Sequence, residues 1–351
     1  MVVALVACAG DDAGTDVTRP DGGEAVSPSS AAPDVPPDEG GPHECVPGDG
    51  RDVRIAWARL RNPVLQVDSM AKDQAVRWSD GQWHIWYSNR TAGDAEGRIV
   101  HAVSDDWLEW DTVAPAIEDA GSPDVTRLAD GRFVMSHQAP AAPGVHRPVY
   151  RAAASAAELA AADARPLFAD LFPGERLIDI AFAHADAGVF AMFKRGAREA
   201  VVQVPTLVHS PSGSLEGPWM HVGDPDVGLF ENYQFLTIDG AWHLLGTRIP
   251  VHAPELYRLD GDASDPQAWL RWTPLGALDV PEEEWNGGGT IAGIDYERAN
   301  SAYLCDARAV DGYFYLFYAG STELATHAGR GHAKIGVARS ADLVTWNVPP
   351  G

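Results

Sequence analysis

The sequence predicts an all-β chain, a five-bladed β-propeller of four-stranded antiparallel blades, on three observations. Five apolar strand-like runs break at turns centred on aspartate and glycine: Asp80-Gly81, Asp130-Gly131, Asp186-Ala187-Gly188, Asp239-Gly240 and Asp311-Gly312. Asp-Gly between such runs marks a hairpin, because a type I′ turn needs positive φ at both central residues. An aromatic residue follows close behind each turn, at Trp83, Phe133, Phe190, Trp242 and Tyr313. The turns recur at spacings of 50, 56, 53 and 72 residues, near the length of a four-stranded blade.

Taken in order, blade one runs from about Val64 to Trp110 and holds strands at Gln74–Trp78, Gln82–Ser88 and Ile99–Ser104. It ends in Ser104-Asp-Asp-Trp-Leu-Glu-Trp110, and blade five ends in a similar phrase that runs from Ile335 to Trp346. Blades three and four close on Leu215-Glu-Gly-Pro-Trp219 and Leu270-Arg-Trp272. A third strand, a polar turn and a tryptophan thus recur, which predicts a tryptophan packed between neighbouring blades. The alanine-rich stretch from Ala152 to Ala162 predicts a short helix on the rim. Blade four carries an insertion from Pro281 to Asn300 that includes Gly287-Gly288-Gly289. With no Lys-Ser/Thr after the glycines it reads as a loop near the channel mouth rather than a phosphate cradle. Glu282-Glu283-Glu284 reads as solvated, and Glu216 as part of a blade-end turn.

Twelve Trp, nine Tyr and ten Phe among 351 residues favour strands over helices. A formal charge of −24 argues against nucleic acid or an anionic membrane surface as a partner. Residues 1–8 read as the remnant of a lipoprotein signal, since Leu5-Val-Ala-Cys8 is similar to a lipobox with Cys8 as the acylated residue; the other reading is a free cysteine in a tail. The apolar stretch is short and no basic residue precedes Cys8, so a start upstream is expected. Residues 9–50, rich in Asp, Gly, Pro, Ser and Ala, read as a disordered tether, and residues 51–351 as one propeller domain. If Cys8 carries lipid, Cys45 and Cys305 are left either as a disulfide in an oxidising compartment or as two free thiols.

Measured back from the hairpins, Asp73 lies seven residues before Asp80, Asp124 six before Asp130, Asp179 seven before Asp186 and Glu231 eight before Asp239. Each falls at the start of its blade's first strand. In a propeller that strand is innermost, so the four acids are expected to converge on one mouth of the channel. Carboxylates crowded into a partly desolvated site raise one another's pKa, which is the asymmetry that acid–base chemistry needs. A turn-capping role is the other reading, strongest for Asp124 in Ser122-Pro-Asp-Val and weakest for Glu231.

On these residues the chain resembles the five-bladed propeller glycoside hydrolases of families 43 and 62, over essentially residues 60–351. Ala71-Lys72-Asp73 resembles the segment that carries the general base of that clan. Leu177-Ile178-Asp179 resembles the segment whose aspartate tunes the acid, and Leu229-Phe230-Glu231-Asn-Tyr-Gln234 the segment of the general acid. The resemblance implies cleavage of a glycosidic bond with inversion, with an α-L-arabinofuranoside or β-xyloside of a plant-type or other polysaccharide as the substrate. Glu231 would be the acid, Asp73 the base and Asp179 the modulator that keeps Glu231 protonated. The chain departs from family 43 in having Gln74, Ile180 and Asn232-Tyr233 where proline or Gly-Pro is common. Asp68, five residues earlier, is the alternative base.

Asp124, Tyr233, Gln234, Arg248 and Arg298 are the expected sugar contacts, aromatic faces for stacking and arginines for hydroxyls, with His137 more remote. No cofactor is required by this chemistry. The clan sometimes holds calcium in its channel, but His327 and His332 follow the last hairpin and do not open its first strand, so the metal is left unknown. An oligo- or polysaccharide partner, a monomer and a bacterial envelope location, lipid-anchored or secreted, complete the expectation. The competing reading is a non-catalytic glycan-binding propeller on the envelope. A sucrose-cleaving relative ranks low, because its Asn-Asp-Pro-Asn and Glu-Cys signatures do not occur.

Overall fold

The computed structural model describes residues 43–46, 48, 50–90, 97–128, 130–142, 145–196, 204–249, 251–291, 294–296, 298–320 and 334–350. These residues form five antiparallel sheets of four strands each, plus one small hairpin. Blade one is β2 (Met70–Ser79), β3 (Gln82–Arg90), β4 (Arg98–Ser104) and β5 (Asp111–Glu118). Blade two is β6 (Gly121–Arg127), β7 (Phe133–Ala142), β8 (Val145–Ala153) and β9 (Arg165–Pro166). Blade three is β10 (Arg176–Ala185), β11 (Gly188–Gly196), β12 (Val204–Ser210) and β13 (Met220–Gly223). Blade four is β14 (Phe230–Ile238), β15 (Ala241–Arg248), β16 (Ala253–Leu259) and β17 (Trp272–Ala277). The small hairpin is β18 (Gly289–Ile291) with β19 (Ile294–Tyr296), inside the insertion of blade four.

Blade five is closed by the front of the chain. Its strands are β20 (Ala299–Ala307), β21 (Tyr313–Gly320), β22 (Lys334–Ser340) and, outermost, β1 (Leu65–Gln66). Val64 therefore does not open blade one. Leu65 pairs with Ile335 and Gln66 with Lys334. Just ahead of β1, Asn62 fastens the closure: its side chain accepts from Val337 N–H at 2.9 Å and donates to Val337 O at 3.0 Å and to Glu283 Oε2 at 2.8 Å. Glu283 also accepts from the Tyr318 hydroxyl at 3.2 Å, so this member of the glutamate run anchors the insertion to blade five rather than standing in solvent.

The turns differ in kind. Asp80-Gly81 and Asp239-Gly240 have positive φ at both positions, as type I′ requires. Asp311 instead ends a one-turn helix, α1 (Arg308–Asp311), with Gly312 left-handed at φ 87° as its C-cap. The stretch from Ala152 to Ala162 contains a single 3₁₀ turn at Ala156–Glu158. Between blades one and five the packing tryptophan is Trp107, fully buried with rings of Trp83, Tyr315 and Phe317 within 4.9 Å, whereas Trp110 is only partly covered. Trp219 packs on Phe168 at 4.8 Å, and Trp269 on Phe190 at 4.1 Å. Burying such rings contributes about 1.5–3 kcal/mol each.

Cys45 and Cys305 form a disulfide that joins positions 260 residues apart. Cys45 and Val46 are buried in the core and Cys45 O accepts from Trp78 N–H at 2.8 Å. The tether boundary at residue 50 is thus corrected, because His43–Val46 belong to the folded body. Cys8 lies outside the described residues.

Candidate active site

One backbone feature repeats in every blade and sets up the site. Each inner strand carries a bulge near its start, between Lys72 and Ala75, Gly121 and Asp124, Ile178 and Ala181, Glu231 and Gln234, and Asn300 and Ala302. Inside each bulge one residue is left-handed: Asp73 (φ 53°), Ser122 (52°), Asp179 (56°), Asn232 (56°) and Ser301 (46°). Short polar side chains tolerate this conformation best, and a bulge re-aims the side chain it carries. The five positions are equivalent around the ring. Asp73 and Asp179 occupy it, but the second and fourth blades place Ser122 and Asn232 there. Glu231 sits one residue before it and Asp124 two after.

Asp73, Asp179 and Glu231 line one cleft of about 530 Å³ at the channel mouth, with Lys72 and Lys194 between them. The Lys194 ammonium lies 2.8 Å from Glu231 Oε2 and 3.1 Å from Asp179 Oδ2, with only 9% of its side chain exposed. Lys72 Nζ lies 3.3 Å from Asp73 Oδ1. The Ser122 hydroxyl donates to Asp179 Oδ1 at 2.7 Å and reaches Asp73 Oδ2 at 3.4 Å. The Ser301 hydroxyl donates to Asp73 Oδ1 at 2.7 Å and is itself held by Asp73 N–H at 2.6 Å. His252 Nε2 approaches Glu231 Oε1 at 4.0 Å.

The charges distribute unevenly. Burial works against ionisation of Glu231, but the Lys194 and Lys72 ammonium groups outweigh it and hold the carboxyl well below the usual range. Burial raises Asp73, the Lys72 ammonium offsets only part of that, and the Asp179 carboxylate adds repulsion. Burial alone would lower Lys194; its two carboxylates more than compensate and hold it above the ordinary lysine range. Asp179 meets Glu231 through Lys194, so the group beside Glu231 is a cation.

The remaining candidates part company. Asp124 lies deeper, below the cleft; it is 6% exposed and its Oδ2 accepts from Phe182 N–H at 3.0 Å. Burial pushes its carboxyl up to about 7, against the opposing pull of that hydrogen bond and of Arg77. Tyr233 is buried, its hydroxyl donating to Phe230 O at 2.9 Å, and Gln234 exchanges two 2.8 Å bonds with the Leu304 backbone. Tyr233 thus braces its own strand, and Gln234 ties blade four to blade five. Arg248 pairs with Glu255 at 3.4 Å, and Arg298 with Glu282 at 3.4 Å and Asp279 at 3.6 Å, away from the cleft lining. His137 is buried against Arg151 at 3.2 Å. Asp68 is exposed, outside the carboxylate group. Glu216 pairs with Arg165 at the surface.

Lys72, Lys194, Ser122 and Ser301 were not singled out by the acid spacing. The signal for the lysines was composition, because Lys72, Lys194 and Lys334 are the only lysines among 26 basic residues and two of them stand in this cleft. As for a metal, no group of three or more His, Cys, Asp or Glu suited to hold one occurs among the described residues. Directly below the carboxylates the channel narrows to about 20 Å³ of free space between Gln74, Asp124, Gln234 and Tyr303. His327 and His332 lie outside the described residues.

No family model matches the chain, and no curated protein matches it. Solved structures do. A family 43 β-xylosidase/α-arabinofuranosidase from a compost microbial metagenome, in complex with xylotriose and calcium-free, is 17% identical over 82% of this chain and 96% of its own, with a TM-score of 0.56. A family 43 enzyme from Xanthomonas citri complexed with xylotriose is 16% identical over 84% of this chain and 96% of its own, at 0.55. A structure from family 130, which contains mannoside phosphorylases and glycoside hydrolases that target β-1,2-mannosidic linkages, is 14% identical over 85% of this chain and 96% of its own, at 0.53. The fold is therefore the five-bladed propeller of the family 43 structures.

Proposed function

We propose that the protein is a glycoside hydrolase acting at the cleft of Asp73, Asp179 and Glu231. The observation that carries the reading is the meeting of three carboxylates, 52 to 158 residues apart in sequence, at one desolvated mouth of the propeller. The fold shared with xylotriose-bound family 43 structures supports a saccharide as the substrate, with an arabinofuranoside or xyloside first among the sugars to test.

In the proposed reaction the bond between the anomeric carbon and the glycosidic oxygen breaks while Glu231 gives that oxygen a proton. A water oxygen bonds to the anomeric carbon on the opposite face, and Asp73 takes the proton the water loses. Both carboxyls then return to their starting states by exchange with solvent. Ser301, Ser122 and Lys72 fix Asp73 for the base role. The free site holds Glu231 ionised, so the cycle includes a step in which the bound sugar displaces the Lys194 ammonium and Glu231 takes up a proton.

The ion pair between Lys194 and Glu231 also favours a second reading, a glycan-binding propeller in which the same carboxylates only accept sugar hydroxyls. A hydrolysis screen on aryl glycosides of arabinofuranose, xylose, galactose and fucose separates the two, with Glu231→Gln as the control. Release of the aryl group by the wild type and not by the variant supports the enzyme. Inactivity on every substrate together with measurable oligosaccharide binding supports the binder. For the envelope location, labelling with a radioactive fatty acid that survives Cys8→Ser would remove the proposed lipid anchor.

A further inference from the structure

We infer that the cleft selects a saccharide carrying a carboxylate, and that Arg176 is the residue that reads it. The inference rests on the glycosidase reading only for the place of the sugar. Arg176 is the first residue of β10, three residues before Asp179, and lines the same cleft. Its Nε is covered and has no acceptor, and among the described residues its guanidinium has no carboxylate partner.

Acidic residues outnumber basic ones 50 to 26 along the chain. Next to Arg176, Arg195 is held by Glu175 at 3.3 Å and Asp224 at 3.1 Å. Arg147, across the same region, donates to the carbonyls of Phe168, Leu171 and Phe172. An arginine with no counter-ion among the described residues, inside the cleft that holds the reacting groups, is a place for an anion that arrives with the ligand. Guanidinium matches a carboxylate in shape and charge and is its usual recognition group.

The lysines make room for that charge. Three buried carboxylates alone would repel an anionic sugar. Lys72 and Lys194 are interleaved with them, so the cleft as a whole is lined by four cationic side chains and four carboxylates, although the chain carries −24. An incoming carboxylate thus meets a compensated site with an open guanidinium, rather than the repulsive field of the rest of the surface.

Titration calorimetry on the full chain tests this with sugar pairs that differ only at C6: galacturonate against galactose, and glucuronate against glucose. The wild type should bind one uronate at least about tenfold more tightly than its neutral partner, and the difference should shrink as salt is added. Arg176→Gln should abolish the difference, and Arg176→Lys should restore part of it. Equal affinity within each pair overturns the inference, as does an Arg176→Gln variant that loses neutral and charged sugars alike, or acetate competing as well as the uronate does. Neutral aryl glycosides hydrolysed with no uronate preference would sink this inference and leave the glycosidase reading standing. Uronate binding without any hydrolysis would do the reverse.

Discussion

Lys194 Nζ lies 2.8 Å from Glu231 Oε2, a contact between the second strand of blade three and the first strand of blade four. The same ammonium touches Asp179 at 3.1 Å, so a single buried cation is shared by two of the three carboxylates and holds them together. Buried ion pairs of this kind are poor sources of net stability, but costly to break on one side.

Lys194→Met should therefore destabilise the protein by about 3–5 kcal/mol at neutral pH, because two carboxylates lose their shared partner. Glu231 is depressed in the folded state, so its contribution is present above its unfolded pKa of about 4.3 and is lost as pH falls through the lower folded value. The gap between wild type and variant should be widest above that pH and close in acid. Urea unfolding at pH 7 and pH 3 measures it. In hydrolysis the variant's Glu231 holds its proton longer, so the alkaline limb of the kcat/KM profile should move to higher pH.

Glu231→Gln should lower hydrolysis by about 10²–10⁴-fold, the range for a general acid, with the far-ultraviolet circular dichroism unchanged. Proton NMR of the first-formed product should show the anomer opposite to that of the substrate. A retained configuration would remove Asp73 from the base role and require a nucleophile instead.

Asp124 sets a different pH dependence. Its folded pKa of about 7 stands above the unfolded value, so its contribution is fully present below about pH 3.9 and is lost as pH rises through 7. Asp124→Asn, which keeps an oxygen for Phe182 N–H, removes that loss. Each tenfold change in proton affinity on folding is worth about 1.4 kcal/mol, so the variant should gain on the wild type by a few kcal/mol between pH 4 and pH 8. Melting temperatures at the two pH values that move in parallel would contradict the assignment.

Cys45→Ser, or reduction of the wild type, should cost about 2–5 kcal/mol, since the bond to Cys305 closes a loop of 260 residues in the unfolded chain. The melting temperature should fall while binding at the cleft is kept, because the disulfide is not among the cleft's lining residues.

How far the site was legible can be read from the bulges. A short polar residue opens each inner strand, at Asp73, Ser122, Asp179, Asn232 and Ser301, and these are equivalent in the fold. The Asp-Gly turn lies seven residues on in blades one, three and four, eight in blade two and ten in blade five, where α1 adds a helical turn. Acids at roughly that distance include Asp73 and Asp179, which do stand at the equivalent position. Glu231 and Asp124 pass for equivalents by spacing when they are neighbours of it, and so Asp124 was drawn into a ring that it lies beneath. Tyr233 and Gln234 looked like sugar contacts because type and nearness to Glu231 were all that could be judged. Tyr233 instead closes a local bond to Phe230 in its own strand, and the bond of Gln234 to Leu304 depends on how blade four meets blade five.

Periodicity and turn chemistry are local, so the sequence by itself determined five blades and the carboxylates at the start of three inner strands. Which groups surround those carboxylates is not local. Ring closure brings strand β11 of one blade against β14 of the next and puts Ser301 beside Asp73, 228 residues away. The tertiary structure decided that the partner of Glu231 is an ammonium and that, among the described residues, Arg176 has no carboxylate partner. Charge–charge energies in a desolvated cleft vary with distances of an ångström or less, and such distances are set by the packing of blade on blade.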